Sequence, residues 1–182
     1  MMKTNRQIVQ ECAQAAWSWL CERYGIPIPS IQQMFGDQDT GRNPLRMPSC
    51  RVSMTHKKSF YAPGKSPSKP GEVIIAGKNL SWLPHCSTKN SIESWTLQLV
   101  EEFTRAIELN ESWEGKSATA EIQTRAVLNQ INFVREFFPH LYLQHRQRLN
   151  LIARNARSEL KKSDSKSVTP TTPQSKPGIV RK

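Results

Sequence analysis

The sequence lacks any long apolar run. No stretch approaches the ~18 apolar residues that a membrane span requires. Near the start, Lys3 and Arg6 lead into an amphipathic segment and not into the continuous apolar core of a secretory signal. Paired cysteines are missing too: Cys12, Cys21, Cys50 and Cys86 are scattered, with no C-x-x-C pair among them. These absences lead to the expectation of a soluble, cytoplasmic chain with reduced thiols and no disulfide framework. A phosphate loop is excluded at Gly64-Lys65-Ser66, because Ser59 stands where the upstream glycine belongs and no helix follows. The four histidines offer no i, i+4 pair, His140 and His145 being five apart. Cys50, His56, His85 and Cys86 match no zinc-finger spacing, so no metal or other cofactor is expected. No Ser/His/Asp or Cys/His catalytic set is singled out, and there is no internal repeat.

Positive charge, by contrast, is abundant. The 182 residues carry a net charge of +11, unevenly placed. Residues 40–80 hold eight Lys/Arg against one acid, and residues 154–182 hold eight against two. Residues 81–116 run the other way, with three against six. Clustering of this kind attracts phosphate backbones through counterion release, which points to a nucleic acid or nucleoprotein partner. The plainer reading is a soluble basic protein with no polyanionic partner, since charge gives attraction without specificity.

Taken in order, the chain reads as α+β: an N-terminal helix, a small antiparallel sheet, a central helix and C-terminal helices. Thr4 to Tyr24 predicts the first helix, with Ile8, Cys12, Ala15/Ala16, Trp19 and Leu20 on one face and Gly25 closing its end. Ile26-Pro27-Ile28-Pro29 must be extended, because each proline disfavours the helical region for its predecessor. Residues 36–48 have loop composition. Arg51 to Thr55, Phe60-Tyr61 and Glu72 to Ala76 read as strands, the last of them buried. Thr119 to Phe138 predicts a helix that Pro139 breaks or kinks, and Leu141 to Leu160 continues helically. Residues 1–153 form a single domain, and 154–182 a basic helix end with a disordered tail too poor in apolar groups to repay its ordering entropy.

On the last helix Arg146, Arg148, Arg154 and Arg157 interleave with Leu149 and Ile152. Arg146 fits a solvated face whose stem covers apolar neighbours. Arg148, Arg154, Arg157, Lys161 and Lys162 are the candidate nucleic-acid contacts, tracking phosphates with Tyr142 or His145 positioned to stack or to reach bases.

The chain is organised around Asn90 to Leu109. Ile92, Trp95, Leu99, Phe103, Ala106 and Ile107 recur at steps of three and four, and Asn90 with Glu93 resembles a capping box. The order helix, proline-rich link, arginine-rich loop, two or three strands and Trp/Leu-rich helix resembles SprT-like and related small zincin metalloproteases over residues 5–109. In that family two histidines one turn apart bind zinc, the intervening Glu is the general base, and a third ligand lies downstream. Laid onto Glu101-Glu102-Phe103-Thr104-Arg105, the resemblance puts Glu102 at the base, with Glu101 and Arg105 where the two histidines stand. Arg105 has no lone pair for a metal. The resemblance therefore implies a degenerate scaffold without the peptidase chemistry, in which Glu101 and Arg105 pair across one helical turn and face the sheet. The leading expectation is a non-catalytic zincin-like domain with a basic arm for nucleic acid or a nucleoprotein. The rivals are a hydrolase with its site around Glu101/Glu102, and a pure protein-interaction module. The pattern specifies no oligomeric state.

Overall fold

The structure, a computed structural model, describes residues 5–26, 46–64, 71–77, 92–111 and 119–166. The elements run α1 (Asn5–Tyr24), β1 (Ser49–Ser53), β2 (Phe60–Ala62), β3 (Glu72–Ala76), α2 (Ile92–Glu111), α3 (Thr119–Phe137), α4 (Pro139–Gln144) and α5 (Arg146–Lys166). The α+β class is as expected. Thr4, Asn90, His85 and Cys86 lie outside the described residues, as does the expected tail beyond residue 166.

Helix α1 ends as its sequence dictates. Gly25 takes φ 64°, which lets its N–H bond to the Glu22 carbonyl at 3.2 Å and the Ile26 N–H to the Cys21 carbonyl at 2.8 Å. Its buried face is turned slightly from the expected one. Val9, Ala13, Ala16, Trp17 and Leu20 are buried with Cys12 and Trp19, while Ala15 is exposed. Two tryptophans explain the rotation. Trp17 meets Phe103 edge-on at 5.2 Å and Trp19 meets Phe133 edge-on at 5.1 Å, so both large rings must point inward.

The sheet is mixed, and this corrects the wholly antiparallel expectation. Its order is β1-β3-β2, with β1 parallel and β2 antiparallel to β3. Burial gives the reason. Val73, Ile74, Ile75 and Ala76 are all buried, so β3 takes the centre, where both of its edges are paired. The more polar β1 and β2 are left at the edges. Gly71 allows β2 to close on β3: a β-carbon there would lie 2.2 Å from the Ala62 carbonyl oxygen.

Helix α2 packs against α1, α3, β2 and β3, and is buried nearly all round. Its exception within the expected stripe is Ile92, which is exposed. An all-round buried helix must satisfy its own polar side chains. Thr96 donates to the Ile92 carbonyl at 2.7 Å and Thr104 to the Val100 carbonyl at 2.8 Å. Gln98 donates to Ser94 and accepts from Ser59. Pro139 does break the chain, standing in the first turn of the short α4. Helix α5 then packs on α3 through Leu149, Ala153 and Ala156, passing residue 153 without interruption. Among the described residues no helix is long and apolar enough to cross a membrane.

Candidate functional site

Two arginine-bearing regions stand out. The first is the position singled out by the resemblance. Arg105 pairs with Glu101 at 2.6 Å, one turn away on α2, and with Glu102 at 2.5 Å. The expected ion pair is present, but it faces α3 and not the sheet. Gln123 of α3 accepts from Arg105 and donates to Glu101 at 3.2 Å, and Gln130 donates to the other Glu101 oxygen at 3.2 Å. Neighbours on a helix point about 100° apart, which leaves Glu102 to turn towards the sheet.

Glu102 is only 1% exposed. Burial, helped by the charge of Glu101, pushes its carboxyl up to about 6, against the opposing pull of Arg105 and a main-chain hydrogen bond from Tyr61 on edge strand β2. Its Oε2 is buried without a hydrogen-bond partner among the described residues. Such a carboxyl can hold a proton near neutral pH, yet at this burial it offers no open face to a substrate.

The zinc implied by the resemblance does not fit these residues. Arg105 brings a guanidinium with no lone pair, and its positive charge already lies between the two carboxylates. Among the described residues, no three His, Cys, Asp or Glu side chains are grouped to hold a metal ion. Cys50 donates to the Pro48 carbonyl at 3.4 Å, and His56 Nδ1 lies 2.6 Å from Ser53 Oγ.

The second region is α5 and the cleft beside it. Arg148, Arg154, Arg157, Lys161 and Lys162 are all exposed, but they do not share one face. Leu149, Ala153 and Ala156 fix which side is inward. From that, Arg146, Asn150, Arg154, Arg157 and Lys161, spaced 4, 4, 3 and 4 apart, fall on a single exposed flank. Arg148 lies roughly 120° round the helix from Arg154, with Lys162 nearer to it than to the flank. Tyr142 donates to Asn150 at 2.8 Å and lies beneath the guanidinium of Arg135, so its ring sits beside the flank with its hydroxyl engaged. His145 forms the corner between α4 and α5, its Nε2 buried without a partner among the described residues.

Arg157 also lines an open cleft of about 580 Å³ that takes in α1, α2 and α3. Behind it Glu108, nearly buried, accepts from Tyr24 at 2.7 Å and from Arg125 at 2.6 Å. Asn129 donates to Tyr24 at 3.2 Å and to Thr104 at 3.1 Å. Burial, and then the bond to Glu108, raise the Tyr24 hydroxyl well above its ordinary range, so it stays a donor. Sequence reasoning missed this network. Its members come from three helices, and Glu108 lies on the side of α2 away from the expected apolar stripe, so no local pattern marked it.

Comparison of the chain with protein-family models, curated proteins and solved structures finds no match.

Proposed function

We propose that this is a non-catalytic, nucleic-acid-binding domain on a degenerate zincin-like scaffold, with the α5 flank as the binding surface. The observation that carries the reading is the alignment of Arg146, Arg154, Arg157 and Lys161 on one exposed flank, with no carboxylate within ion-pair distance among the described residues. From residue 146 to 161 the flank runs about 22 Å at ~1.5 Å per residue. Four uncompensated cations over that length suit a run of backbone phosphates, where each contact releases condensed counterions. Side chains of this kind position a polyanion without reading its sequence. The scaffold part of the proposal rests on the order of β3 and α2 along the chain and on Glu102 lying against β2, with Arg105 supplying internally the positive charge that a metal supplies in a working zincin.

The test is fluorescence anisotropy of a labelled oligonucleotide at several salt concentrations. Binding should weaken with salt with a log–log slope of about −3 to −4 for duplex DNA if four phosphates are contacted. The double variant Arg154→Gln/Lys161→Gln should reduce that slope by about two. A slope near zero, or one unaltered by the variant, refutes the assignment of this flank.

A further inference from the structure

The cleft beside α5 is not part of the flank itself, and its charges are differently disposed. Arg125 is committed to Glu108 and lies 3.7 Å from Glu121, so it neutralises the cleft's own acid. Arg23 and Arg157 meet no carboxylate among the described residues. Arg23 is held over the Trp19 ring, 5.0 Å from its centroid, and Trp19 is fixed by its indole N–H donating to Glu136 at 2.9 Å. Asn132 of α3 adds a side-chain amide to the lining. Two free guanidiniums and an amide from α1, α5 and α3 therefore line one recess.

We infer that this cleft binds a phosphomonoester group, carried either by the end of a nucleic-acid strand or by a free nucleotide. The charge count favours a monoester over an internal diester. A terminal phosphate brings roughly 1.5 to 2 negative charges and three acceptor oxygens, matching two uncommitted cations, whereas a diester brings one charge. Volume agrees: about 580 Å³ is more than a bare phosphate fills and lies in the range of sites that hold a nucleotide-sized group. Arginine is the suitable residue, since its planar fork engages two phosphate oxygens at once. The assignment rests on the proposed function only for the strand-end source, because Arg157 is where flank and cleft meet.

The experiment uses the full chain and one oligonucleotide made with a 5′-phosphate and with a 5′-hydroxyl, together with thermal melting in adenosine monophosphate and in adenosine. The expected result is tighter binding of the 5′-phosphate form, on the order of tenfold, the effect of one charge-assisted hydrogen bond. That preference should vanish in Arg23→Gln and Arg157→Gln and persist in Arg154→Gln. If neither oligonucleotide binds but adenosine monophosphate raises the melting midpoint above adenosine, and both cleft variants abolish this, the cleft serves a free nucleotide and the nucleic-acid reading falls. If both oligonucleotides bind equally and the nucleotide has no effect, the cleft assignment is overturned while the flank stands. A preference that survives both cleft variants also overturns it, and no binding of any kind overturns both.

Discussion

Arg105 and Arg157 carry the same charge and meet opposite fates. Arg105 lies between α2 and α3, with Glu101, Glu102 and Gln123 around its guanidinium. Arg157 projects from α5 at the mouth of a cleft whose one acid, Glu108, is paired with Arg125, and Arg157 itself meets no carboxylate within ion-pair distance among the described residues. The first cation is consumed holding the molecule together, and the second is available to an anion from outside. What separates them is compensation and burial. A net charge summed over the sequence hides that difference, since it counts both residues alike.

The sharpest way to break the comparison is to remove each arginine in turn. Arg105→Ala leaves Glu102 buried beside Glu101 with no counter-charge, and should cost about 3 kcal/mol or more by denaturant unfolding. Changing Glu101 to Gln in the same background should recover part of the loss, giving a coupling that a double-mutant cycle reads directly. Arg154→Ala on the open flank should stay within about 0.5 kcal/mol of the parent. Equal costs at the two positions would mean that the α2 cluster is no more than a surface pair.

A second test reaches the closed region through the backbone. Glu102 is sheltered by β2, and β2 is seated by Gly71 against Ala62. In Gly71→Ala the new methyl group would meet a main-chain oxygen, which cannot move aside as a side chain does, so a cost of about 2–3 kcal/mol is expected. A melting midpoint equal to the parent's would show that the hairpin relaxes freely and that the shelter does not depend on this contact.

Acidity provides a third. Because burial raises the Glu102 carboxyl from 4.5 to about 6, the folded state binds its proton more tightly than the unfolded state does. Its contribution is therefore fully present below about pH 4.5 and is lost as pH rises through about 6, amounting to roughly 2 kcal/mol at about 1.4 kcal/mol per unit. Glu102→Gln should flatten that part of the stability profile. A profile unchanged by the substitution would place the titration elsewhere.

The smallest effect on stability belongs to the flank, where Arg154→Gln/Lys161→Gln should leave the melting midpoint nearly unmoved. Gln is a comparable helix former, and neither side chain meets a carboxylate among the described residues. The same variant should still bind polyanions more weakly. If stability falls with it, the flank is structural and the comparison with Arg105 loses its meaning.

Sequence alone determined the elements whose signals are local. The periodicity of α1, α2 and α3, the stop at Gly25, the break at Pro139 and the buried run of β3 each depend on residues within a turn or two of one another. The Glu101–Arg105 pair belongs to the same class, since four residues on a helix make one face. Tertiary structure alone decided how those elements are arranged. β3 lies between β1 and β2 because the most apolar strand gains most from the centre, a competition among strands that no single segment reveals. The pair turns to α3 because Gln123 and Gln130 arrive there from more than 20 positions along the chain in sequence from Glu101. The five basic residues expected to act together divide between a flank and a second exposed face once Leu149, Ala153 and Ala156 fix which way α5 faces. The cleft, which joins Arg23 to Arg157 across 134 positions, has no trace in local pattern, because a site built from different helices exists only after they have packed.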